Sequence, residues 1–164
     1  MKILHIALWI TGLLICFSSC LSKQEKVIQT ELDKIEGQWK INALTVEGQN
    51  ANDWKNLLKS GELLFKNCRA KNVKHENTYC DGDIEINKGI YKISYRFDMN
   101  FIVSVRALSK DGSGIVKMTE EEARVTQLLS GNWEFVVNDN ILIAKQLKNN
   151  PYTGVLVSFT ATRK

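Results

Sequence analysis

The chain has 164 residues, 44% of them hydrophobic and 24% charged, with a formal net charge of +4. This length provides one domain with a substantial hydrophobic core. Lysines and acidic residues are interspersed, and no basic stripe alternates with aromatic residues, so the sequence gives no reason to expect a nucleic-acid partner.

The first twenty residues have the layout of a secretory signal. Met1 and Lys2 form a minimal basic start, residues 3–17 are mainly apolar, and residues 18–20 are small. The apolar run is too short and too poorly flanked for a stable membrane span, although a retained anchor helix is the alternative. We therefore predict that residues 1–19 are a signal peptide.

Residues 17–20, Phe-Ser-Ser-Cys, resemble the lipobox of bacterial lipoproteins, with Phe17 where that family usually has Leu. The resemblance implies that Cys20 carries a diacylglycerol thioether and further fatty acyl chains, palmitate among them. Several acyl chains on one residue anchor a protein stably to a membrane. Leu21 is not an acidic retention residue, which by family analogy implies an envelope location at the outer membrane. A soluble secreted protein cut nearby is the alternative.

Residues 21–26 are polar apart from Leu21 and show no periodic apolar face. We predict a lipidated tether over residues 20–30, which lifts a single domain of residues 31–164 off the bilayer.

Two cysteines remain in the predicted mature domain, Cys68 and Cys80, because Cys16 leaves with the signal and Cys20 is lipidated. In an oxidising compartment such a pair is most simply a disulfide, the alternative being two separate buried thiols. No zinc site is expected, since His75 is the only nearby third ligand and structural zinc takes four.

Alternating apolar residues predict about eight strands, which favours an all-β, antiparallel, up-and-down barrel. A further strand is predicted over residues 62–69, and a short helix over residues 52–60, after the first strand. The apolar faces of the other strands, in chain order, are Trp39, Ile41 and Ala43; Ile84 and Ile86; Tyr91, Ile93, Tyr95 and Phe97; Val103, Val105 and Ala107; Trp133, Phe135 and Val137; Ile141, Ile143 and Leu147; and Val155, Val157, Phe159 and Ala161.

The segment over residues 119–130 has two interpretations. Thr119 and Glu122 have the spacing of a capping box that opens a helix ending near Leu129. Alternatively, an acidic loop precedes an irregular strand over residues 124–130, and this version is preferred here.

Residues 35–39, Ile-Glu-Gly-Gln-Trp, resemble the opening motif of the lipocalin superfamily, and Gly131-Asn132-Trp133 repeats the Gly-x-Trp pattern. With the lipobox, length and strand number, the chain resembles the lipocalin-like lipoproteins of Bacteroidetes-type bacteria. The resemblance implies that Gly37 lets the chain pass close beneath the barrel floor and that Trp39 plugs this end. It also implies that an arginine of the last strand, here Arg163, stacks across the tryptophan.

The sequence contains no nucleophile–base pair, serine elbow or paired-histidine metal motif, so we expect neither an enzyme nor a cofactor. We expect an envelope protein that binds a small, partly apolar ligand inside the barrel, or a dry core in place of the ligand. The alternative is an envelope interaction or assembly protein with a filled core, whose loops contact an unidentified protein partner. The residues expected to line a ligand are Tyr91, Ile93, Tyr95, Phe97, Val103, Val105, Trp133 and Phe135.

Overall fold

The protein is described here by a computed structural model. The structure describes residues 22–48, 51, 61–70, 79–86, 89–107, 118–148 and 153–164. Cys20 and the short helix predicted over residues 52–60 lie outside this described part. The described elements, in chain order, are α1 (Lys23–Ile35), β1 (Gly37–Gly48), β2 (Gly61–Phe65), β3 (Cys80–Ile86), β4 (Gly89–Asp98), β5 (Asn100–Ala107), α2 (Glu120–Leu129), β6 (Gly131–Asn138), β7 (Ile141–Gln146) and β8 (Val155–Arg163).

The strands form a closed barrel in which each pairs with its neighbours in sequence and β8 pairs with β1. All pairings are antiparallel, so the predicted up-and-down barrel of eight strands is confirmed. Odd and even strands therefore run in opposite directions. We call the end where β1 begins the floor and the end where β6 begins the roof.

A β-bulge interrupts β1. Ile41 lies opposite Ala161 and Ala43 lies opposite the next residue of β8, Thr160, which leaves Asn42 without a partner in the ladder. An extra residue of this kind shifts the in–out alternation by one position. Ala43 is therefore exposed and Leu44 turns towards the core, which corrects the prediction that Ala43 shares a face with Trp39.

The prediction for β7 was wrong about its face. Leu142, Ala144 and Gln146 are buried, whereas Ile141 and Ile143 are exposed. Residues 141–144 are all apolar, so alternation alone does not say which set points inward. The register decides, because Leu142, Ala144 and Gln146 lie directly opposite the inward-facing residues Val137, Phe135 and Trp133 of β6, and directly opposed residues share a face.

The tether prediction was wrong from residue 22 onward, because Ser22 is the N-cap of α1, which begins at Lys23. Ser22 caps the helix, and its side chain and that of Glu25 form a reciprocal capping box. Ile28, Leu32 and Ile35 follow helical spacing and pack on the core. The predicted boundary at residue 31 divides this stripe, so its period was not visible in either part.

The preferred loop-and-strand version of residues 119–130 was also wrong. Thr119 and Glu122 form a capping box, and α2 continues to Leu129, burying Val125, Leu128 and Leu129. Of the strand predicted over residues 62–69, only the part up to Phe65 joins the ladder.

Candidate functional site

The residues predicted to line a ligand all belong to the interior of the barrel. Six of them are buried, and the other two, Phe97 and Phe135, are partly buried against the core. Their rings contact one another and further aromatic residues. The centroids of Phe101 and Phe135 are 4.9 Å apart, and those of Trp133 and Phe159 are 5.5 Å apart. The described interior is therefore occupied by packed side chains at these positions.

The hydroxyl group of Tyr95, expected to contact a ligand, is used within the fold. It donates a hydrogen bond to the carbonyl oxygen of Lys66 at 3.0 Å. Burial raises the pKa of Tyr95 well above its ordinary value, so the phenol stays neutral. Phe65 packs edge-on against this ring, with centroids 5.1 Å apart. Tyr95 is thus a core residue whose hydroxyl group already has a hydrogen-bond partner within the fold.

The floor is closed by Trp39 and Arg163, and the guanidinium group lies over the indole ring. The indole nitrogen of Trp39 donates to the carbonyl oxygen of Ile35 at 2.8 Å. The guanidinium carbon of Arg163 lies 4.3 Å from the centroid of the indole ring. Its two terminal nitrogens donate to the carbonyl oxygens of Glu36, at 2.7 Å, and Lys34, at 2.9 Å. Arg163 therefore ties the end of α1 to the end of the last strand.

The roof is closed by a second unit of the same design. The indole nitrogen of Trp133 donates to the carbonyl oxygen of Leu129 at 3.0 Å. The buried side-chain amide of Gln146 donates to the carbonyl oxygens of Leu128, at 2.7 Å, and Ser130, at 3.5 Å. These two carbonyls stand in the same positions relative to Trp133 as those of Lys34 and Glu36 relative to Trp39. Gln146 is thus the counterpart of Arg163.

The two units occupy opposite ends of the barrel. Each consists of a capped helix, a glycine of positive φ and a tryptophan, at the start of strands that run in opposite directions. Gly37 has a φ of 119° and Gly131 a φ of 145°. The repeated Gly-x-Trp is visible in the sequence, but Gln146 was not among the predicted site residues. The signal that would have found it is the register, because Gln146 lies directly opposite Trp133 as Arg163 lies opposite Trp39.

The predicted disulfide between Cys68 and Cys80 is confirmed, with their Cα atoms 5.6 Å apart. It links the segment after β2 to the first residue of β3. The side-chain amide of Gln29, on α1, donates to the carbonyl oxygen of Cys68 at 3.0 Å, so the disulfide segment and α1 are joined at the floor.

The outside of the barrel carries an apolar cluster on β6 and β7. Val136, Ile141 and Ile143 are 41%, 47% and 43% exposed, respectively. Val136 of β6 lies opposite Ile143 of β7, and Ile143 lies opposite Thr160 of β8. Thr160 lies opposite Ala43 of β1, so the cluster continues across β8 onto β1. A patch of this kind on a monomer's surface commonly marks an interaction site.

An open groove follows β8 along this surface and has a volume of about 280 Å³. Thr160 and Ser158, both short and half-buried, lie along the centre of the groove, between β7 and β1. We call this surface the outer groove; its outward-facing lining residues are Ala43, Thr45, Glu47, Ile143, Lys145, Leu156, Ser158 and Thr160. None of them was predicted as a site residue, because the sequence analysis placed Ile143 inside.

A charged cluster lies on the outside of β3 and β4, next to the end of β2. Lys66 approaches a carboxylate oxygen of Asp83 at 3.0 Å, and Lys92 pairs with the other oxygen. Burial alone would raise the pKa of Asp83, but the two lysines outweigh it and hold the pKa below its ordinary value. The carboxylate of Asp83 is thus paired through both of its oxygens.

No helix in the described part of the chain combines the length and apolar character needed to cross a membrane. Within the same ranges, no three His, Cys, Asp or Glu side chains are grouped so that they could hold a metal ion. His75 lies outside the described residues.

The fold and the two end units define the class of protein: a closed, eight-stranded, up-and-down barrel with both ends plugged. Comparison with known proteins adds no relative: no family model matches the chain, and neither the curated proteins nor the solved structures include a match.

Proposed function

We propose that this chain is a non-enzymatic, lipid-anchored protein of the cell envelope that acts through the outside of a filled, lipocalin-like barrel on a protein partner. The observation that carries the proposal is a contrast in packing. The interior is filled with aromatic rings between Trp39 and Trp133, whereas exposed apolar side chains gather around Ile143 on the outer wall. Apolar area that is already buried inside contributes nothing to binding, while exposed apolar area favours association.

The proposed anchor is Cys20, for which the lipobox resemblance is the support. Since α1 begins at Lys23 and leads into β1 at the floor, a lipid on Cys20 would hold the floor of the barrel towards the bilayer. The strands would then stand away from the membrane, and the outer groove on their side would remain accessible to other proteins.

The packing supports this function over the binding of a small ligand in the barrel. Phe65 packs on both Tyr95 and Phe135, and Phe135 packs on Trp133, with ring centroids 5.1, 5.5 and 6.0 Å apart, respectively. A ligand at this place would have to separate rings that are already in contact. It would also have to enter past a helix and a tryptophan at either end of the barrel.

The anchor is tested by growing cells that express the full chain in medium that contains alkyne-tagged palmitate. We expect labelling of the wild type and of Cys16→Ser, and none of Cys20→Ser. Cys16→Ser is the matched control, because it changes a cysteine of the predicted signal peptide. Equal labelling of all three proteins would overturn the proposed anchor.

The partner is tested by cross-linking in intact cells. Ile143→Lys should abolish cross-links to other proteins, because it places a charge in the centre of the apolar cluster. Ile90→Lys is the control, since Ile90 is 56% exposed on the outside of β4. Cross-links that survive Ile143→Lys would contradict the proposal. So would a small molecule that co-purifies with the wild-type protein at one molecule per chain.

A further inference from the structure

The outer groove has the charge pattern of a self-complementary surface, and we propose that its occupant is a second copy of this chain on the same membrane. The two copies would pack groove to groove about a two-fold axis parallel to β8. This inference rests on the proposed function, since it names the partner of the outer groove.

The shape of the groove favours an approach by another sheet. Along its centre, Ser158 and Thr160 are short side chains, and Ala43 and Thr45 on the β1 side are also small. Two sheets that meet through short side chains approach to about 10 Å, with their strands close to aligned. Val136, Ile141 and Ile143 lie on the β7 side of the centre and would be covered by such an approach.

The charges at the two sides of the groove are of opposite sign. Lys145 lies on the β7 side, directly opposite Ser158, and Glu47 lies on the β1 side, directly opposite Leu156. Within the described part of the chain, neither Lys145 nor Glu47 forms an ion pair. Both are exposed, and Lys145 lies directly opposite Glu134 of β6 without forming an ion pair with it, so Lys145 and Glu47 are each accessible to a partner.

A two-fold axis parallel to β8 exchanges the two sides of the groove. It therefore brings Lys145 to the side of the groove that carries Glu47 of the partner subunit. Lys145 is level with Ser158 and Glu47 with Leu156, so the two charges stand about 7 Å apart along the strands, a distance that the long lysine side chain can span. The contact occurs twice, as an isologous interface requires. An axis that runs across the strands would instead leave each side of the groove facing the same side of the other copy, so that Lys145 would face β7 of the partner and Glu47 would face its β1.

The same axis agrees with the proposed anchor. Rotation about an axis parallel to the strands leaves both floors at the same end of the pair, so both copies could be anchored in one bilayer. An axis across the strands would turn one copy upside down and move its anchor away from the membrane.

The size of the surface sets the strength to be expected. Four strands about 4.8 Å apart, each with about three outward residues, cover roughly 400 Å² per copy, or about 800 Å² in total. Stable interfaces bury about 1,200–2,000 Å² in total, so the pair should be weak in solution. Anchoring on one membrane raises the effective concentration and would allow the pair to form there.

The proposal is tested by cysteine cross-linking of the full chain in membranes from producing cells. On the proposed axis Ser158 meets the same residue of the other copy, so Ser158→Cys should give a cross-linked dimer with a short bismaleimide. Ser104→Cys is the matched control, because Ser104 is exposed on β5, outside the groove. Dimer formation at least five times greater for Ser158→Cys is the expected result, and equal yields would overturn the proposal.

Charge reversal supplies a second test on the Ser158→Cys background. Lys145→Glu alone and Glu47→Lys alone should each reduce the cross-linked dimer several-fold, and the double reversal should restore it. Failure of the double variant to recover, with folding confirmed by circular dichroism, would exclude the proposed axis. If Ser158→Cys forms no dimer while Ile143→Lys still removes cross-links to other proteins, self-association fails and the proposed function stands.

Discussion

Arg163 and Gln146 perform the same task at opposite ends of the barrel, although one is a cation and the other a neutral amide. Each lies directly opposite a tryptophan in the ladder. Each donates hydrogen bonds to carbonyl oxygens near the end of the helix that precedes that tryptophan. The choice of residue follows the surroundings. Arg163 is exposed and keeps its charge in contact with water, whereas Gln146 is buried, where an unpaired charge would be costly.

Replacing Arg163 with alanine should lower the free energy of unfolding by about 1–2 kcal/mol, because the hydrogen bonds to the carbonyls of Lys34 and Glu36 and the cover over Trp39 are lost together. Urea unfolding of the mature domain measures this change. Arg163→Lys should recover only part of it, since an ammonium group cannot donate in the fork geometry of a guanidinium. Full recovery by lysine would show that charge alone is needed.

Replacing Gln146 with leucine should be more costly, by about 2–4 kcal/mol. The substitution leaves the carbonyl oxygen of Leu128 and the backbone N–H of Val157 buried without their side-chain partner. Thermal unfolding is a suitable measurement. Gln24→Leu, at an exposed position of α1, is the control and should change stability by less than about 0.5 kcal/mol.

Replacing Gly37 with alanine should destabilise the floor by about 1–3 kcal/mol. Its φ of 119° is one that side chains rarely adopt, and a Cβ atom would lie 3.1 Å from a terminal nitrogen of Arg163. Gly154→Ala is the comparison, because Gly154 has a φ of 68° and an added Cβ would meet no described atom within 4 Å. A loss for Gly37→Ala no larger than for Gly154→Ala would contradict the role given to the close approach of Arg163.

Acid should weaken the fold partly through Asp83. Its pKa is lower in the folded chain than in the unfolded one, so its contribution is present above the unfolded pKa and is lost as the pH falls through the folded pKa. Asp83→Asn should cost about 0.5–1 kcal/mol at pH 7, after allowance for solvent screening. The difference from the wild type should disappear at low pH. Urea unfolding between pH 7 and pH 2 measures it, with Asp98→Asn, exposed at the end of β4, as the control.

Reducing the disulfide should lower stability by about 3 kcal/mol, the value that the chain-entropy model gives for a loop of this length. Unfolding of the mature domain with and without dithiothreitol measures the change. The double variant Cys68→Ser/Cys80→Ser should match the reduced wild type and should no longer respond to dithiothreitol. A continued response would contradict the role given to this disulfide, because the variant has no cysteine pair left in the domain.

Much of the barrel was predictable because most strands alternate cleanly between apolar and polar residues. Tyr91, Ile93 and Tyr95, for example, are separated by Lys92 and Ser94, so only one face can be buried. The pattern was insufficient where four apolar residues follow one another, as in β7, because the burial of either set satisfies it. There the pairing with β6 decides, and pairing depends on residues distant from the strand in sequence.

The two helices were missed for different reasons. The apolar stripe of α1 is short and spans the expected domain boundary, whereas the capping box of α2 was recognised but was given less weight than a strand. Gln146 could not have been assigned from its residue type, since its function comes from the buried carbonyls around it. The outer groove likewise could not be predicted from the sequence, because it depends on which face of β7 points outward.

The bulge at Asn42 has a consequence for how β1 tolerates changes in length. Removing one residue from a strand ordinarily moves every later side chain of that strand to the opposite face of the sheet. Here Ile41 and Ala43 already lie opposite consecutive residues of β8, so the loss of Asn42 would bring them into regular succession and leave Leu44 and Val46 facing inward as before. Apart from the hydrogen bond between Asn42 and Thr162, this wall of the barrel would keep its composition on both surfaces, so β1 can be one residue shorter in the middle without being rebuilt.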